Sequence, residues 1–300
     1  MSKPGGRIGV HASVWVGGWT KKDCELAVRE AAATGYDYIE MPVLDPYGID
    51  IAHTRRTLEA AGLGATASLG LDETTDISSE DEAVVARGAA LLERALAVVR
   101  DTGGTDLCGV IHSAMRKYMQ PASAQGIANA QAVLRRLAEA AEAAGIGLHL
   151  EVVNRYESNL LNTGAQAVAM IERIGVASLR VHLDTYHMNI EEGAVGPAIE
   201  ACGAKLGYFH IGESHRGYLG TGTVDFAAAF RSLARIGYRG PIAFESFSSA
   251  VVDPKLSSML GVWRNLWTDG SDLARHARQF IEAERVAAAR AMEGFAGAGR

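Results

Sequence analysis

The segment GLHLEVVNRYESNLLNTGAQAVAMIERIGVASLRVHLD, residues 147–184, decides the fold. It opens with a short apolar run, 147–152, which predicts a β-strand, and continues with a helical stretch, 164–174, that ends at a glycine. A second apolar run, 179–183, predicts another strand. Two strands joined by a helix are expected to be parallel, because parallel pairing needs a long crossover connection. The segment is therefore a βαβ unit, and each of its strands ends in a carboxylate.

The same alternation of strand and helix extends from this segment in both directions. It predicts eight strands, at 8–15, 36–41, 64–69, 106–112, 147–152, 179–183, 206–211 and 241–244. Helices are predicted at 21–34, at 51–61, from a capping box at Ser79–Glu82 to 101, over an Ala-rich stretch ending at 145, and at 164–174, 195–202 and 224–236. Eight such units predict an α/β fold, a closed (β/α)8 TIM barrel. The alternative, a doubly wound open sheet, would carry a GxGxxG motif after the first strand, and the sequence lacks one there.

The 300 residues are predicted to form a single domain, 1–300. The barrel takes up about 7–250, and no linker or change of composition interrupts it. A C-terminal helical extension is predicted over about 251–293, with helices at 254–267 and 271–292. The small residues of 294–300 predict a flexible tail.

Composition and charge exclude several classes of protein. The chain is 48% hydrophobic and 21% charged, which is typical of globular proteins. It has no apolar run long enough to span a membrane, no signal-peptide pattern, and three cysteines without metal-binding spacing. We therefore expect a cytoplasmic protein with no membrane partner. The net charge of −6 also disfavours nucleic acid as a partner.

Four consecutive predicted strands end in a side chain that can bind a metal ion. These residues are Glu151, Asp184, His210 and Glu245. In a TIM barrel the carboxyl ends of the strands share the rim where active sites lie. A single carboxylate there is more often a helix cap, and a single histidine is more often a buried structural residue. Four in succession favour a divalent cation, and three carboxylates with one imidazole suit Mn²⁺, Mg²⁺ or Co²⁺.

Such a metal site predicts binding of a hydroxy-carbonyl compound and removal of a proton from the adjacent carbon. A carboxylate ligand is able to act as the base if one of its oxygens faces the substrate carbon. Glu151 and Glu245 come from strands on opposite flanks of the four. They are therefore able to face opposite sides of a bound substrate.

Three longer motifs resemble those of ketose 3-epimerases. They are EVVNRYE at 151–157, HLDTYHMNIEE at 182–192 and FHIGESHR at 209–216. Segments 212–222, 245–249 and 263–267 resemble the branch that acts on D-allulose and L-ribulose-type ketoses, and the resemblance runs from the first strand to Trp267. The chain is thus similar to the D-tagatose, D-allulose (D-psicose) and L-ribulose 3-epimerases, a family within the xylose-isomerase-like TIM barrels.

The resemblance implies an isomerase that epimerises free ketoses at C3 through a cis-enediolate. It implies that the four strand-end residues bind the divalent metal, that Glu151 and Glu245 are also the acid/base pair, and that no organic cofactor takes part. Glu157, His187 and Arg216 match the family's positions that hold the substrate around O1 to O3. Relatives of this kind commonly form homodimers or homotetramers.

Other residues at the predicted rim are assigned to substrate binding on shorter patterns. His11 stands where some relatives carry an aromatic residue that contacts the far end of the sugar, and Trp19 is expected in the same region. Ser68 and Gly70 are expected to shape the wall of the pocket. Glu40 ends the second strand, and the sequence leaves open whether it lies near the site or is simply a polar rim residue.

Several alternatives stay open at this point. Taken without the family, Glu157 would cap a helix and Arg216 would pair with Glu213, while His187 is equally able to contact substrate or to support the metal ligands. Other functions on the same barrel are an aldose–ketose or hydroxypyruvate-type isomerase and an endonuclease, which would need further metal ligands and a basic groove. A metal-dependent sugar-binding protein is the non-enzymatic alternative.

Overall fold

The computed structural model describes residues 6–297, and their strands form a closed barrel. The strands are parallel and follow one another in chain order, with the first pairing with the eighth. They are β1 Ile8–His11, β2 Tyr38–Pro42, β3 Gly64–Ser68, β4 Asp106–Cys108, β5 Gly147–Glu151, β6 Leu179–Asp184, β7 Leu206–Ile211 and β8 Ile242–Phe244. The predicted (β/α)8 TIM barrel is confirmed.

Helices connect the strands and surround the barrel. They are α1 Lys21–Ala33, α2 Ile51–Ala61, α3 Glu82–Thr102, α4 Ala124–Ala143, α5 Gly164–Ile174, α6 Thr185–Glu191, α7 Val195–Cys202, α8 Phe226–Arg235, α9 Pro254–Leu260 and α10 Gly270–Gly297. Two of them begin with a capping box, formed by Thr20 with Asp23 and by Thr163 with Gln166. The left-handed Gly175 ends α5, as the sequence predicts.

The register between neighbouring strands brings the four predicted metal ligands to one rim. In β5 and β6, Glu151 is aligned with His182, and in β6 and β7, Asp184 is aligned with His210. Side chains alternate along a strand, so the apolar residues between these polar ones point outward to the helices. This explains why acidic residues stand inside apolar runs: one side of each strand packs against helices and the other faces the barrel interior.

The strands end sooner than the apolar runs suggested. β1 stops at His11, and the chain turns into a short 3₁₀ helix at Ala12–Val14 instead of continuing to 15. β4 is three residues long rather than the predicted 106–112. In both places the buried loop after the strand is as apolar as the strand itself, so hydrophobicity alone did not mark the boundary.

The predicted capping box of the third helix is wrong. Asp81 caps α3, and its carboxylate accepts hydrogen bonds from the N–H groups of Ala83 and Val84. Ser79 lies two residues earlier, and its hydroxyl accepts a hydrogen bond from the Asp81 N–H. Asp81 directly precedes the first helical residue, which is the position that a capping carboxylate requires.

The C-terminal extension differs from its prediction in the middle. The helix predicted over 254–267 ends at Leu260, and Gly261 follows with a φ of 64°. The next residues are irregular, so Trp263 is 72% exposed, whereas Trp267 is buried and its Nε1 donates to the Ser246 hydroxyl at 2.8 Å. The two tryptophans therefore lie in different environments.

The last helix, α10, is packed into the helical layer. The Tyr36 hydroxyl donates to the Ala274 carbonyl at 2.8 Å, and Leu273 and Ile281 are fully buried. The backbone of α10 continues through 294–297, the first part of the predicted flexible tail, and residues 298–300 lie outside the described residues. Within 6–297, no helix has both the length and the apolar character needed to cross a membrane.

A substitution in α3 tests the packing of this layer. Gly88→Ala usually stabilises a helix by about 1 kcal/mol. Here we expect the opposite, because a Cβ at Gly88 would overlap the carbonyl oxygen of Thr75 and crowd Ile77. The predicted loss of unfolding free energy is about 1–3 kcal/mol in urea titration. Gly193→Ala, where a Cβ meets no neighbour, is the control, and equal stability of both variants would contradict this packing.

Candidate active site

The carboxyl ends of β5 to β8 bring the four predicted metal ligands together. Nδ1 of His210 lies 3.8 Å from Oε1 of Glu151 and 3.7 Å from Oδ2 of Asp184. The same nitrogen lies 3.4 Å from Oε1 of Glu245. All four side chains are buried. Atoms bound to one cation at about 2.1 Å lie roughly 3–4 Å apart, so the spacing suits a shared metal ion.

The orientation of the His210 ring suits a cation site. Its Nε2 lies 2.8 Å from Oε2 of Glu40, a fully buried carboxylate that also accepts a hydrogen bond from the Tyr208 hydroxyl. When Nε2–H donates to Glu40, the neutral ring turns the lone pair of Nδ1 toward the three carboxylates. Within 6–297, neither His210 Nδ1 nor Asp184 Oδ2 has a hydrogen-bond partner. Unpaired buried lone pairs are costly, and a divalent cation between them removes that cost.

Burial raises the pKa of two of these carboxylates, Glu151 and Glu245. It raises the pKa of Glu151 well above the ordinary value, and the neighbouring carboxylates add to this effect. Burial also raises the pKa of Glu245 to about 7. Burial favours a higher pKa for Asp184 as well, but the neighbouring side chains of His210, His187 and Arg216 outweigh it and hold that pKa below the usual range. Groups with such raised pKa values are suited to general acid–base chemistry.

A cavity of about 60 Å³ opens at this cluster. Glu151 and Glu245 both reach its wall, while Asp184 and His210 are fully buried. Six of the predicted substrate-binding residues line the same cavity: His11, Ser68, Gly70, Glu157, His187 and Arg216. The two glutamates therefore connect the metal cluster with the space where a substrate fits.

Trp19 lies apart from the other predicted substrate-binding residues. Its indole Nε1 donates to the Thr54 hydroxyl at 3.1 Å, and its side chain lines an adjoining cavity of about 440 Å³. Gly70 and Leu44 are among the residues that line both cavities. The two spaces are therefore neighbours, and Trp19 belongs to the outer one.

Arg216 lies in a strained turn and forms an ion pair with Glu245. Arg216 is the one non-glycine residue in the described chain with a positive φ, 62°, and its Nη1 forms a very close ion pair with Oε2 of Glu245. The guanidinium also lies 3.9 Å from the centre of the Tyr186 ring and 4.9 Å from that of Phe247. Backbone strain of this kind persists where the surroundings enforce it, and it is concentrated at functional sites.

Glu213 holds the loop that carries Arg216, a role that the sequence did not suggest. Its carboxylate accepts hydrogen bonds from the backbone N–H of Ser214 at 2.7 Å and of Gly220 at 2.9 Å. Its carbonyl accepts the N–H of Arg216 at 2.8 Å. Glu213 therefore binds backbone groups rather than the Arg216 guanidinium. The closely spaced glycines at 217, 220 and 222 could have indicated this role. They predict a tight loop, and the N–H groups of such a loop need a hydrogen-bond acceptor.

Asn154 orients two of the predicted substrate-binding residues, and sequence reasoning missed it as well. Its Nδ2 donates to Oε1 of Glu157 at 2.9 Å, and its backbone N–H donates to Nδ1 of His187 at 3.1 Å. With Nδ1 accepting, Nε2–H of His187 lies 3.8 Å from Glu151 and 4.0 Å from Glu157. Glu157 caps no helix here, because Thr163 caps α5.

Several known proteins that match this chain are named as 3-epimerases of ketoses. The family profile of the xylose isomerase-like TIM barrel matches residues 28–283. A ketose 3-epimerase of Arthrobacter globiformis is 52% identical over 275 residues, which are 92% of this chain and 95% of that protein. The chain belongs to the ketose 3-epimerase family. An L-ribulose 3-epimerase of Methylomonas sp. (strain DH-1) is 53% identical to this epimerase over 274 residues, 91% of this chain and 96% of that protein.

Solved structures agree with this assignment. The crystal structure of a D-allulose 3-epimerase from Methylomonas sp. in complex with D-allulose matches with a TM-score of 0.92 at 51% identity, covering 94% of this chain and 98% of that one. The family resemblance drawn from the sequence motifs is thus confirmed. This epimerase is an enzyme of the isomerase class.

Proposed function

We propose that this epimerase inverts C3 of free ketoses with the help of one divalent cation. The substrate pairs would be of the D-fructose/D-allulose, D-tagatose/D-sorbose or L-ribulose/L-xylulose type. The observation that carries the proposal is the pair of buried atoms His210 Nδ1 and Asp184 Oδ2, which lie 3.7 Å apart and have no hydrogen-bond partner within residues 6–297. Glu151 and Glu245, which lie beside His210, reach the wall of the cavity. The names of the matching relatives support the reaction, and this donor set supports the cation.

Four residues would hold the cation. They are Glu151, Asp184, His210 and Glu245. Oxygen ligands with a single imidazole suit Mn²⁺, Mg²⁺ or Co²⁺. When bound, the cation would stabilise negative charge on the substrate oxygens beside the reacting carbon. No organic cofactor is part of the proposal.

Glu151 and Glu245 would act as the two proton carriers. One carboxylate removes the C3 proton from one face of the ketose, and the other returns a proton to the opposite face of the resulting cis-enediolate. They come from β5 and β8, so they approach the cavity from two different strands.

Glu157, His187 and Arg216 would position the substrate around O1 to O3. Their polar atoms line the cavity beside the two glutamates. Asn154 sets the directions of Glu157 and His187, and the ion pair with Arg216 fixes Glu245. Pre-set groups of this kind hold the reacting carbon near the bases without further ordering during the reaction.

The test of this function is product analysis with D-fructose and Mn²⁺. We expect D-allulose to accumulate to an equilibrium mixture on chromatography. Formation of an aldose without D-allulose would contradict the proposal and favour the alternative, an aldose–ketose isomerase. The product therefore distinguishes the two reactions directly.

Glu40 gives a prediction about the metal site. Glu40→Gln keeps the size of the side chain but removes the charge that holds His210 Nε2–H and the Tyr208 hydroxyl. We expect metal affinity to fall about 10–100-fold, with activity regained at high metal concentration. Metal titration checks this result, with Glu59→Gln, an exposed glutamate on α2, as the control. Unchanged affinity in Glu40→Gln would contradict the supporting role of Glu40.

The proposal extends to the assembly and the cellular location of the enzyme. We propose a homodimer or homotetramer, as the family resemblance implies, acting in the cytoplasm. Large apolar side chains that are exposed in the single chain, Trp263, Met119 and Tyr47, support a contact between subunits. The absence of a basic cluster in the sequence supports a small-molecule substrate rather than nucleic acid.

A further inference from the structure

The outer cavity beside the active site is far larger than the inner one. Its volume is about 440 Å³, within the range of roughly 300–1,000 Å³ that is typical of ligand pockets. The inner cavity, at about 60 Å³, has space for only a few water-sized groups. That is less than a ketohexose contains, so a substrate whose C2 and C3 lie at Glu151 and Glu245 must extend beyond the inner cavity.

The shared walls indicate the direction in which the substrate extends. Both cavities are lined by Pro42, Leu44, Gly70 and Leu256. Most of the outer cavity is bounded by segments that follow β1, β2 and β3, and the segment after β8 that contains α9 completes its wall. The metal cluster stands on β5 to β8. The end of the ketose away from the reacting carbons therefore points into the outer cavity.

The chemistry of the outer cavity is apolar with an acidic edge. Trp19, Ile49 and Met259 supply apolar surface, and three aspartates, Asp45, Asp72 and Asp253, also line it. Of the described residues around it, none is cationic. Carboxylates accept hydrogen bonds from sugar hydroxyls, but they repel a phosphate group. The cavity thus suits a neutral, hydroxyl-rich group.

We propose that the outer cavity is a subsite for a neutral glycosyl group on O6 of the ketose, and that the enzyme therefore epimerises 6-O-glycosylated ketoses as well as free ones. This inference rests on the proposed function, because the same two glutamates invert C3. A substituent on O6 leaves the C2 carbonyl and the C3 hydrogen untouched, so the reaction at C3 is unchanged. The proton that leaves C3 is balanced by the one that returns to its other face.

The experiment compares three ketoses with the metal-loaded enzyme. Isomaltulose, which is 6-O-α-D-glucopyranosyl-D-fructose, is expected to be converted to its C3 epimer with a kcat/KM within about tenfold of that for D-fructose. D-Fructose 6-phosphate is expected to react at least about 100-fold less well, because of the aspartates. Turanose, glycosylated on O3, is the control for the carbon that reacts. Turnover of D-fructose without turnover of isomaltulose would overturn the subsite alone, whereas no turnover of D-fructose would overturn the proposed function itself.

A variant ties the result to the cavity. Gly18 lines only the outer cavity, and a Cβ there would have its nearest neighbour, Oδ2 of Asp23, at 3.8 Å. Gly18→Leu therefore adds a bulky side chain at the wall of the outer cavity with no close contact at its Cβ. We expect kcat/KM for isomaltulose to fall at least about tenfold more than kcat/KM for D-fructose, because the unsubstituted ketose occupies much less of the outer cavity. Gly193→Leu, at an exposed glycine with open space around it, is the matched control. Equal activity of Gly18→Leu and the parent on isomaltulose would overturn the assignment of this cavity.

Discussion

Replacing Glu245 by glutamine is expected to lower kcat for ketose epimerisation by about 10²–10⁴-fold, the usual contribution of a general acid–base group. The change removes a carboxylate oxygen from the cavity wall, one proposed ligand of the cation, and the charged partner of Arg216. Glu151→Gln is expected to have an effect of the same size, because Glu151 combines the same two positions, in the metal cluster and on the cavity wall. Initial rates at saturating metal measure both.

Isotope exchange separates loss of a base from loss of the cation. With metal bound, each variant keeps one of the two glutamates, so it is expected to exchange the C3 hydrogen of one ketose epimer with D₂O while forming little of the other. Glu59→Gln, on the surface of α2, is the control and should retain full activity. Near-normal epimerisation by either active-site variant with metal bound would contradict the two-base mechanism.

Removal of divalent metal is expected to abolish epimerisation. Without the cation, the lone pairs of His210 and Asp184 face one another across buried space, and nothing offsets the charge that develops on the substrate. Dialysis against a chelator should leave activity at background, and Mn²⁺, Co²⁺ or Mg²⁺, added back separately, should restore it to different extents. Thermal unfolding is a second readout, because a cation that binds only the folded state raises the unfolding temperature.

A variant, Asp184→Asn, provides a second test of the metal site. Asp184→Asn retains both glutamates but loses one charge of the donor set, so it is expected to need more metal for half-maximal activity than the parent enzyme. Full activity of the chelated parent, with metal shown to be absent by elemental analysis, would contradict the proposed cation.

The fold and the core of the site were predictable because both depend on patterns along the chain. Eight apolar runs alternating with helical segments specify a barrel, and a barrel places its strand ends on one rim. Glu151, Asp184, His210 and Glu245 could be selected together because each stands at the end of a strand, and the structure brings them together. Strand ends were less predictable, since the loops after β1 and β4 are buried and apolar.

Residues that act through others were harder to predict. Glu40 supports His210 from the far side of the barrel interior, a contact that depends on the closure of the sheet rather than on sequence spacing. Asn154 and Glu213 act through backbone hydrogen bonds, which leave little trace in a single sequence. Trp19 was expected beside the other substrate residues, but the turn after β1 directs it to the outer cavity. Hydrophobic periodicity predicts strands and helices but not the direction in which a loop leaves them.

The most direct test of the account is the position of deuterium in the product formed from D-fructose in D₂O. Two glutamates on opposite faces predict D-allulose that carries deuterium at C3 in the first turnovers, observed by NMR, because the glutamate that returns the proton has exchanged with solvent. Protium retained at C3 of D-allulose would contradict the two-glutamate mechanism. Deuterium at C2 of an aldose, with no D-allulose formed, would contradict epimerisation itself.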